Sequence, residues 1–316
     1  MKAVRVHAFG GLDAMIYEEV PRPVPEAGQV LVRVAAAGVG PWDIWVRSGR
    51  SVLPQPLPLT LGADLSGTVE AIGEGVTGFA LGTPIYGVTN SRFTGAYADY
   101  ALADAGMIAA RPNQLSEIEA ASVPVIGCTA LQMLFEHAGV EAGQTVLVIG
   151  GAGNVGAYAV QLAILAGAEV VATGRTQELA SITAAGAIAV DAGAGIPARF
   201  MGQIDAVIDT VGGVALESAF EWLRVGGVLV SSVGEPDREL ARRHKVRAQF
   251  MLVAVTTHKL VQLADLFSTG DLQTRIGEVL GLPDARRAHA MIETGTAPPG
   301  KLMLVPQTPP SAKDTP

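Results

Sequence analysis

One stretch constrains the chain more than any other. It is VLVIGGAGNVGAYAVQLAILAGAEVVATGR, residues 146–175, which overlaps a run with no charged side chain between Glu141 and Glu169. Its length and apolarity would suit a membrane span, which needs about 20 mostly apolar residues. Its interior does not. Glycines crowd into 150–156, and around them the run reads as β-branched TVLVIGG, helix-forming VGAYAVQLAILAG and β-branched AEVVATG. Strand, glycine turn, helix and strand within about thirty residues make a βαβ unit. Strands buried on both faces are as continuously apolar as membrane helices. A buried βαβ unit is expected, and no membrane partner.

Within it, Gly151-Ala152-Gly153-Asn154-Val155-Gly156 has the spacing of a dinucleotide-binding turn. The first glycine permits a tight turn out of the strand. The second lets backbone approach a pyrophosphate, and the third lets the helix pack closely on the sheet. The helix start then offers N–H groups and a positive dipole end to the phosphates. The end of the second strand selects the cofactor. NAD enzymes usually carry Asp or Glu there to bind the ribose 2′-OH. This chain has Thr173-Gly174-Arg175-Thr176, with no carboxylate before Glu178. Arg175 offers a planar cationic fork suited to a 2′-phosphate, so NADPH is expected over NADH.

The remaining pattern fits two domains in 316 residues. The first ~120 residues hold short strands such as QVLVRVAAAG, LSGTVEAIGEGV and AYADYAL, punctuated by prolines at 21, 23, 25, 54, 56 and 58. That texture suits an irregular β-rich domain. From Ser116 the spacing turns helical, with Ser116 and Glu119 placed as a capping box. After the βαβ unit, strands and helices keep alternating: ELASITAAGA, IAV, IDAVIDTVGG, the helix ALESAFEWLRVGG, then VLVSSVG. Alternation of this kind predicts a doubly wound parallel sheet, an α/β fold. Ser232, Val233 and Gly234 end a strand at its carboxyl edge, where cofactors lie. A helix around His258–Phe267, the segment DARRAHAMIETG and a terminal strand KLMLVP follow, and the polar tail QTPPSAKDTP reads as a loose end.

Composition narrows the function. With 22 basic against 30 acidic residues, net −8, nucleic acid is a poor partner. One cysteine, Cys128, excludes an internal disulfide and any site built on several thiolates, and reads as packing. The N-terminus has no secretory pattern, so a cytoplasmic setting is expected.

Taken in order, AAAGVGPWDIWVRSG, LGADLSGTVEAIGEGVTGF, TGAYADYAL, VPVIGCTALQML, VLVIGGAGNVG and GKLMLV resemble blocks of the medium-chain dehydrogenase/reductase superfamily. They resemble its zinc-independent quinone oxidoreductases, the zeta-crystallin group, over essentially the whole chain to about Pro306. The resemblance implies a GroES-like irregular β-rich substrate domain over 1–122 plus 268–316, and a Rossmann NADPH-binding domain over 123–267. It implies a homodimer joined through Rossmann sheet edges, for which FMLVAV is the candidate strand, since exposed apolar strands need covering. Zinc-dependent relatives place Cys, His and a second Cys or Asp at spots that fall here on Gly40, Ala63 and Val125, and the structural-zinc lobe is absent. No metal is expected, and oxidation of alcohols is disfavoured without a Lewis acid.

The resemblance also carries residues over singly. Thr129 falls near the carboxamide end of the cofactor, Leu252 and Val253 on the loop facing the nicotinamide, and Lys301 on the Gly-Lys near the C-terminus. Pocket candidates are Asp43, Trp45, Arg47 and Tyr86, the last with the loop GVTNSRFTG. Two departures stand out: the family's Asn before Pro is Gly40, and its Tyr is Trp45. Trp45 keeps a flat apolar wall and an N–H donor but cannot give up a proton at neutral pH. Asp43 and Arg47 equally suit bracing of their helix. The reading is an NADPH-dependent reductase of quinones or other α,β-unsaturated carbonyls, working by alignment and water exclusion in an apolar cleft. The alternatives are an enoyl-thioester reductase, disfavoured because the proton-donating Tyr of those enzymes is missing near GRSVLPQP, and a non-catalytic NADPH-binding protein.

Overall fold

The computed structural model describes residues 1–306; the tail QTPPSAKDTP lies outside them. The chain divides into two compact units, residues 1–125 with 255–269 and 274 onward, and residues 126–254 with 270–273.

The first unit is β-rich. Its larger sheet runs in the order Ile276–Gly281, Lys301–Val305, Gln29–Val39, Asp64–Ile72, Pro84–Val88 and Ile108–Ala110, with Tyr100–Asp104 also pairing to Gln29–Val39. A smaller sheet orders Met15–Glu19, Lys2–Val6 and Leu59–Thr60. The alternating apolar residues of these strands, among them Val32, Leu65, Ile85 and Leu302, meet Tyr97 in one core. The capping box forms as the spacing predicts: Ser116 Oγ accepts the Glu119 N–H at 3.2 Å, and Glu119 Oε2 accepts the Ser116 N–H at 2.9 Å. The helix Thr257–Thr269 clusters with this unit, so the break falls at 254/255 rather than after 267. Hydrogen bonds hold it there. Tyr86 Oη donates to the Leu260 carbonyl at 2.5 Å, and Thr257 Oγ1 donates to the Ile108 carbonyl at 2.7 Å.

The second unit is a six-stranded parallel sheet in the order Ile188–Asp191, Glu169–Gly174, Thr145–Ile149, Ile204–Asp209, Leu223–Ser231, Arg247–Phe250. That is the doubly wound arrangement, with the chain reversing direction across the sheet beside Thr145–Ile149. Leu147, Val171, Val207 and Leu229 fill its core with Phe220. Three local readings change. The helix at 213–218 is shorter than predicted, because LRVGG opens the next strand, Leu223–Ser231. The edge strand is Arg247–Phe250 rather than FMLVAV; only Phe250 of that segment is strand. And the helical stretch after Pro124 loosens into a π-helix over Gln132–Ala138. Such widened turns recur at functional places, and here Gln132 Oε1 accepts the Ala254 N–H at 2.8 Å, beside the predicted Leu252–Val253 loop.

Candidate functional site

The glycine turn forms between the strand Thr145–Ile149 and the helix Asn154–Leu165. The division of labour among its glycines differs from the sequence expectation. The left-handed residue that turns the chain is Gly150, φ 83°, one position earlier than expected. Gly151 is there for approach: a Cβ would lie 2.6 Å from Ala172 Cβ in the next strand. Gly156 packs the helix on the turn itself rather than on the sheet, since a Cβ would sit 2.0 Å from the Gly150 carbonyl oxygen. A Cβ on Gly153 would meet only the Gly150 oxygen, at 3.2 Å. Among the described residues no side chain caps the helix that starts at Asn154, so its first N–H groups have no side-chain acceptor there. A glycine cradle opening onto an uncapped helix start fits a dinucleotide pyrophosphate. Ala152 and Val155 lie in this turn and first helical turn.

The other carboxyl ends line up with it. Register sets Asp209 beside Ile149 and Ser231, and Gly174 beside Asp191. Asp209 is fully buried and organises two loops. Its Oδ1 accepts the N–H groups of Val211 (3.1 Å) and Gly212 (2.9 Å), and Ser231 Oγ donates to its Oδ2 at 2.7 Å. Ser231 Oγ in turn accepts the N–H groups of Val233 (3.1 Å) and Gly234 (3.2 Å). The predicted trio Ser232, Val233 and Gly234 is therefore present at the sheet edge but shaped by two residues that sequence reading missed. Thr129 is buried in the helix Pro124–Leu131, and Leu252 is exposed on the irregular segment after Phe250.

At the end of the second strand, the 3₁₀ turn Thr176–Glu178 folds back. Arg175 Nε donates to Glu178 Oε1 at 2.9 Å, Nη2 donates to the same oxygen, and the Arg175 N–H donates to Glu178 Oε2 at 2.8 Å. Thr176 Oγ1 donates to Asp191 Oδ2 at 2.5 Å. That bond, with a second from the Gly193 N–H, holds the Asp191 carboxyl below its usual range.

In the first unit, the helix Pro41–Ser48 separates the pocket candidates by face. Asp43 and Arg47, four residues apart, point into protein; Trp45 is 36% exposed. Asp43 Oδ2 accepts the Gly40 N–H at 2.8 Å and the Tyr97 hydroxyl at 3.0 Å. Burial pushes its carboxyl up to about 7, with Asp64 adding to the rise and the Gly40 bond, Lys301 and Tyr97 opposing it. Arg47 donates to Glu293 Oε1 at 2.5 Å, to the Gly10 carbonyl and to His289 Nδ1 at 3.3 Å. Burial, then the Arg47 charge, pushes His289 down to about 3, so it is a neutral acceptor. Both Asp43 and Arg47 brace the unit. Tyr86 is fully buried, with its hydroxyl donating to the Leu260 carbonyl.

Lys301 is likewise inward. Its ammonium lies 2.9 Å from Asp64 Oδ2, and both residues are buried. Asp64 Oδ1 accepts the Val125 N–H at 2.8 Å, and a Cβ on Gly40 would lie 3.4 Å from Lys301 Nζ. The three spots equated with zinc ligands, Gly40, Ala63 and Val125, carry no ligating side chain and adjoin this ion pair. They do not fit zinc. No group of three or more His, Cys, Asp or Glu among the described residues could hold a metal ion.

Trp45 is the solvent-facing member of the set. Its ring meets Trp42 edge-on at 6.3 Å, and Trp42 meets Phe93 edge-on at 5.8 Å. Phe93 sits in the left-handed region, φ 58°, within the predicted GVTNSRFTG loop, a conformation that costs a bulky residue about 1–2 kcal/mol. The loop is held by Asn90, whose Nδ2 donates to the Thr94 carbonyl at 2.7 Å.

Residues 26–113 match the family described as alcohol dehydrogenase GroES-like domain, and residues 166–304 match that described as zinc-binding dehydrogenase. A quinone oxidoreductase of Sus scrofa is 32% identical over 96% of this chain and 98% of its own. The solved quinone oxidoreductase of Coxiella burnetii superposes with a TM-score of 0.89 at 32% identity, covering 96% of this chain and 99% of that one. A mycobacterial protein solved in complex with NADPH gives 0.85 at 29% identity, covering 97% of this chain and 100% of that one.

Proposed function

The chain belongs to the quinone oxidoreductase group of the medium-chain dehydrogenase/reductase superfamily and is an oxidoreductase, and from that premise we propose that it reduces quinones or other α,β-unsaturated carbonyl compounds with NADPH, without zinc. The observation that carries the reading is the glycine turn onto an uncapped helix start, with Arg175 at the end of the next strand. A mycobacterial neighbour complexed with NADPH supports the same cofactor.

When bound, the cofactor supplies a hydride from its nicotinamide ring; with a proton this gives a hydroquinone from a quinone or a saturated carbonyl from an enone. The chain's own residues do the rest. The turn 150–156 and the first N–H groups of Asn154–Leu165 bind pyrophosphate, and Arg175 and Thr176 take the adenosine end. Thr129, the 232–234 loop and Leu252–Val253 orient the nicotinamide end, and Asp209 and Gln132 position those loops. Trp45 presents a flat apolar wall to the acceptor and excludes water beside it. The described residues assign no proton donor on that wall, so the proton is drawn from water. The absence of ligating side chains at Gly40, Ala63 and Val125 supports zinc independence, as does the pairing of the Asp64 carboxylate with Lys301.

A panel of quinones, enones and acyl thioesters tests the proposal, following NADPH and NADH oxidation in chelator-treated protein whose NADPH binding is measured separately. Turnover of quinones or enones with NADPH is expected. Bound NADPH with no oxidation across the panel would overturn it.

We also propose a homodimer through the open edge at Arg247–Phe250, the outermost strand of the parallel sheet. A monomer by light scattering at micromolar concentration would argue against it.

A further inference from the structure

The turn after the second strand of the parallel sheet holds more negative charge than its sequence suggests. Glu178 lies four residues beyond Gly174, yet the 3₁₀ turn returns its carboxylate to the strand end. A Cβ on Gly174 would lie 3.4 Å from Glu178 Oε2. The carboxylate is pinned by the Arg175 N–H and by two guanidinium nitrogens. Its side chain is only 18% exposed, whereas that of Arg175 is 65% exposed. Asp191 stands beside Gly174 in the neighbouring strand and accepts from Thr176. Two carboxylates and one guanidinium thus surround Gly174, Arg175 and Thr176, a formal charge of −1 before any ligand arrives.

A guanidinium holds a carboxylate and a phosphate through the same planar fork. Glu178 therefore takes, within the chain, the position on Arg175 that a 2′-phosphate needs. We propose that Glu178 is the residue that sets the choice between NADPH and NADH: it competes with the 2′-phosphate for Arg175 and so holds NADPH preference down. The proposal rests on Arg175 being the 2′-phosphate residue. A phosphate must share or displace the Glu178–Arg175 pair and lie near a second negative charge on Asp191. A ribose 2′-OH meets no such competition, because it brings no charge and finds a fixed carboxylate acceptor.

The test is the dissociation constants of NADPH and NADH, read by ligand fluorescence or calorimetry on wild type, Glu178→Gln and Arg175→Ala. Glu178→Gln keeps the acceptor for the Arg175 N–H and removes only the charge; unchanged melting temperature and circular dichroism establish that its fold is intact. The expected result is NADPH binding about tenfold tighter in Glu178→Gln, with NADH within about threefold of wild type. That size is appropriate for one charge a few ångströms from a phosphate at an exposed surface. The gain shrinks as salt rises. Asp191→Asn gives a smaller shift in the same direction and supplies a second variant if Glu178→Gln misfolds. An unchanged NADPH-to-NADH ratio in Glu178→Gln, while Arg175→Ala loses NADPH affinity, overturns this inference and leaves the NADPH reading standing. Unchanged NADPH affinity in Arg175→Ala removes the phosphate from this turn and overturns both.

Discussion

Lys301 Nζ lies 2.9 Å from Asp64 Oδ2 in the interior of the first unit, and the pair lies against the positions equated with metal ligands in zinc-dependent relatives. A buried pair of this kind offsets its own desolvation only while both partners are present. Asp64 also accepts the Val125 N–H, so its charge has two fixed partners.

Removing one partner leaves a buried charge. Lys301→Met should cost about 3–5 kcal/mol of stability. Asp64→Asn in the Lys301→Met background should recover much of it, because no charge then remains. Urea titrations of the two variants check this; a Lys301→Met midpoint equal to wild type would show that the ammonium is not needed.

Asp43 and His289 bend stability in opposite directions with pH. The Asp43 carboxyl is raised to about 7 in the folded protein, so the folded state holds a proton that the unfolded state has lost. Its contribution is whole below the ordinary carboxylate range and is lost as pH rises toward 7. His289 is lowered to about 3, so its contribution is whole above the ordinary imidazole range and is lost as pH falls toward 3. Between about pH 4 and 6.5 the two slopes, each about 1.4 kcal/mol per pH unit, cancel. Wild type should be nearly flat there with respect to this pair. Asp43→Asn should lose stability on acidification relative to wild type, and His289→Gln should lose it as pH rises. Parallel stability–pH profiles for all three proteins would rule the arrangement out.

Trp45 should matter to the acceptor and little to the cofactor. Trp45→Ala should raise KM for aromatic quinones roughly tenfold, the equivalent of losing one stacking contact, while Trp45→Phe keeps most of the affinity. NADPH dissociation constants should not move in either variant. Steady-state kinetics with quinones of graded size decide it, and an indifferent KM for every acceptor would remove Trp45 from the pocket.

The glycine turn separates fold from binding. Gly156→Ala forces a Cβ to 2.0 Å from the Gly150 oxygen and should lower stability by 1 kcal/mol or more, taking cofactor affinity with it. Gly153→Ala meets only one atom, at 3.2 Å, and should fold with little loss yet weaken NADPH, because its methyl projects where backbone must approach pyrophosphate. Thermal melts beside calorimetric NADPH titrations read the two effects apart. Equal NADPH affinity in Gly153→Ala and wild type would refute the role given to that glycine.

Periodicity carried the architecture well. The apolar run at 146–175 and the alternation after it were sufficient for the parallel sheet, because buried parallel strands leave a continuous signature. The site was legible only where glycine geometry made it so. Asp209, Ser231 and Gln132 act through hydrogen bonds between segments far apart in sequence, and single polar residues in apolar strands or helices carry no spacing signal. Lys301 and Tyr86 looked available because sequence shows a charge or a hydroxyl but not whether it is already committed. Glu178 lies four positions past Gly174 in sequence; a 3₁₀ turn, which needs only three residues, closes the gap.

The terminal strand Lys301–Val305 pairs with Gln29–Val39, placing Leu302 beside Val39. A sheet interior is thereby finished with some of the last described residues to leave the ribosome. The second unit, nearly all of it continuous from 126 to 254, has its whole parallel sheet in hand well before that moment. Vectorial synthesis thus reverses the order of the chain: the middle can consolidate first and the N-terminal half waits. Until Lys301 emerges, Asp64 lacks the ammonium it pairs with inside, so the closing of that sheet is coupled to the emergence of Lys301.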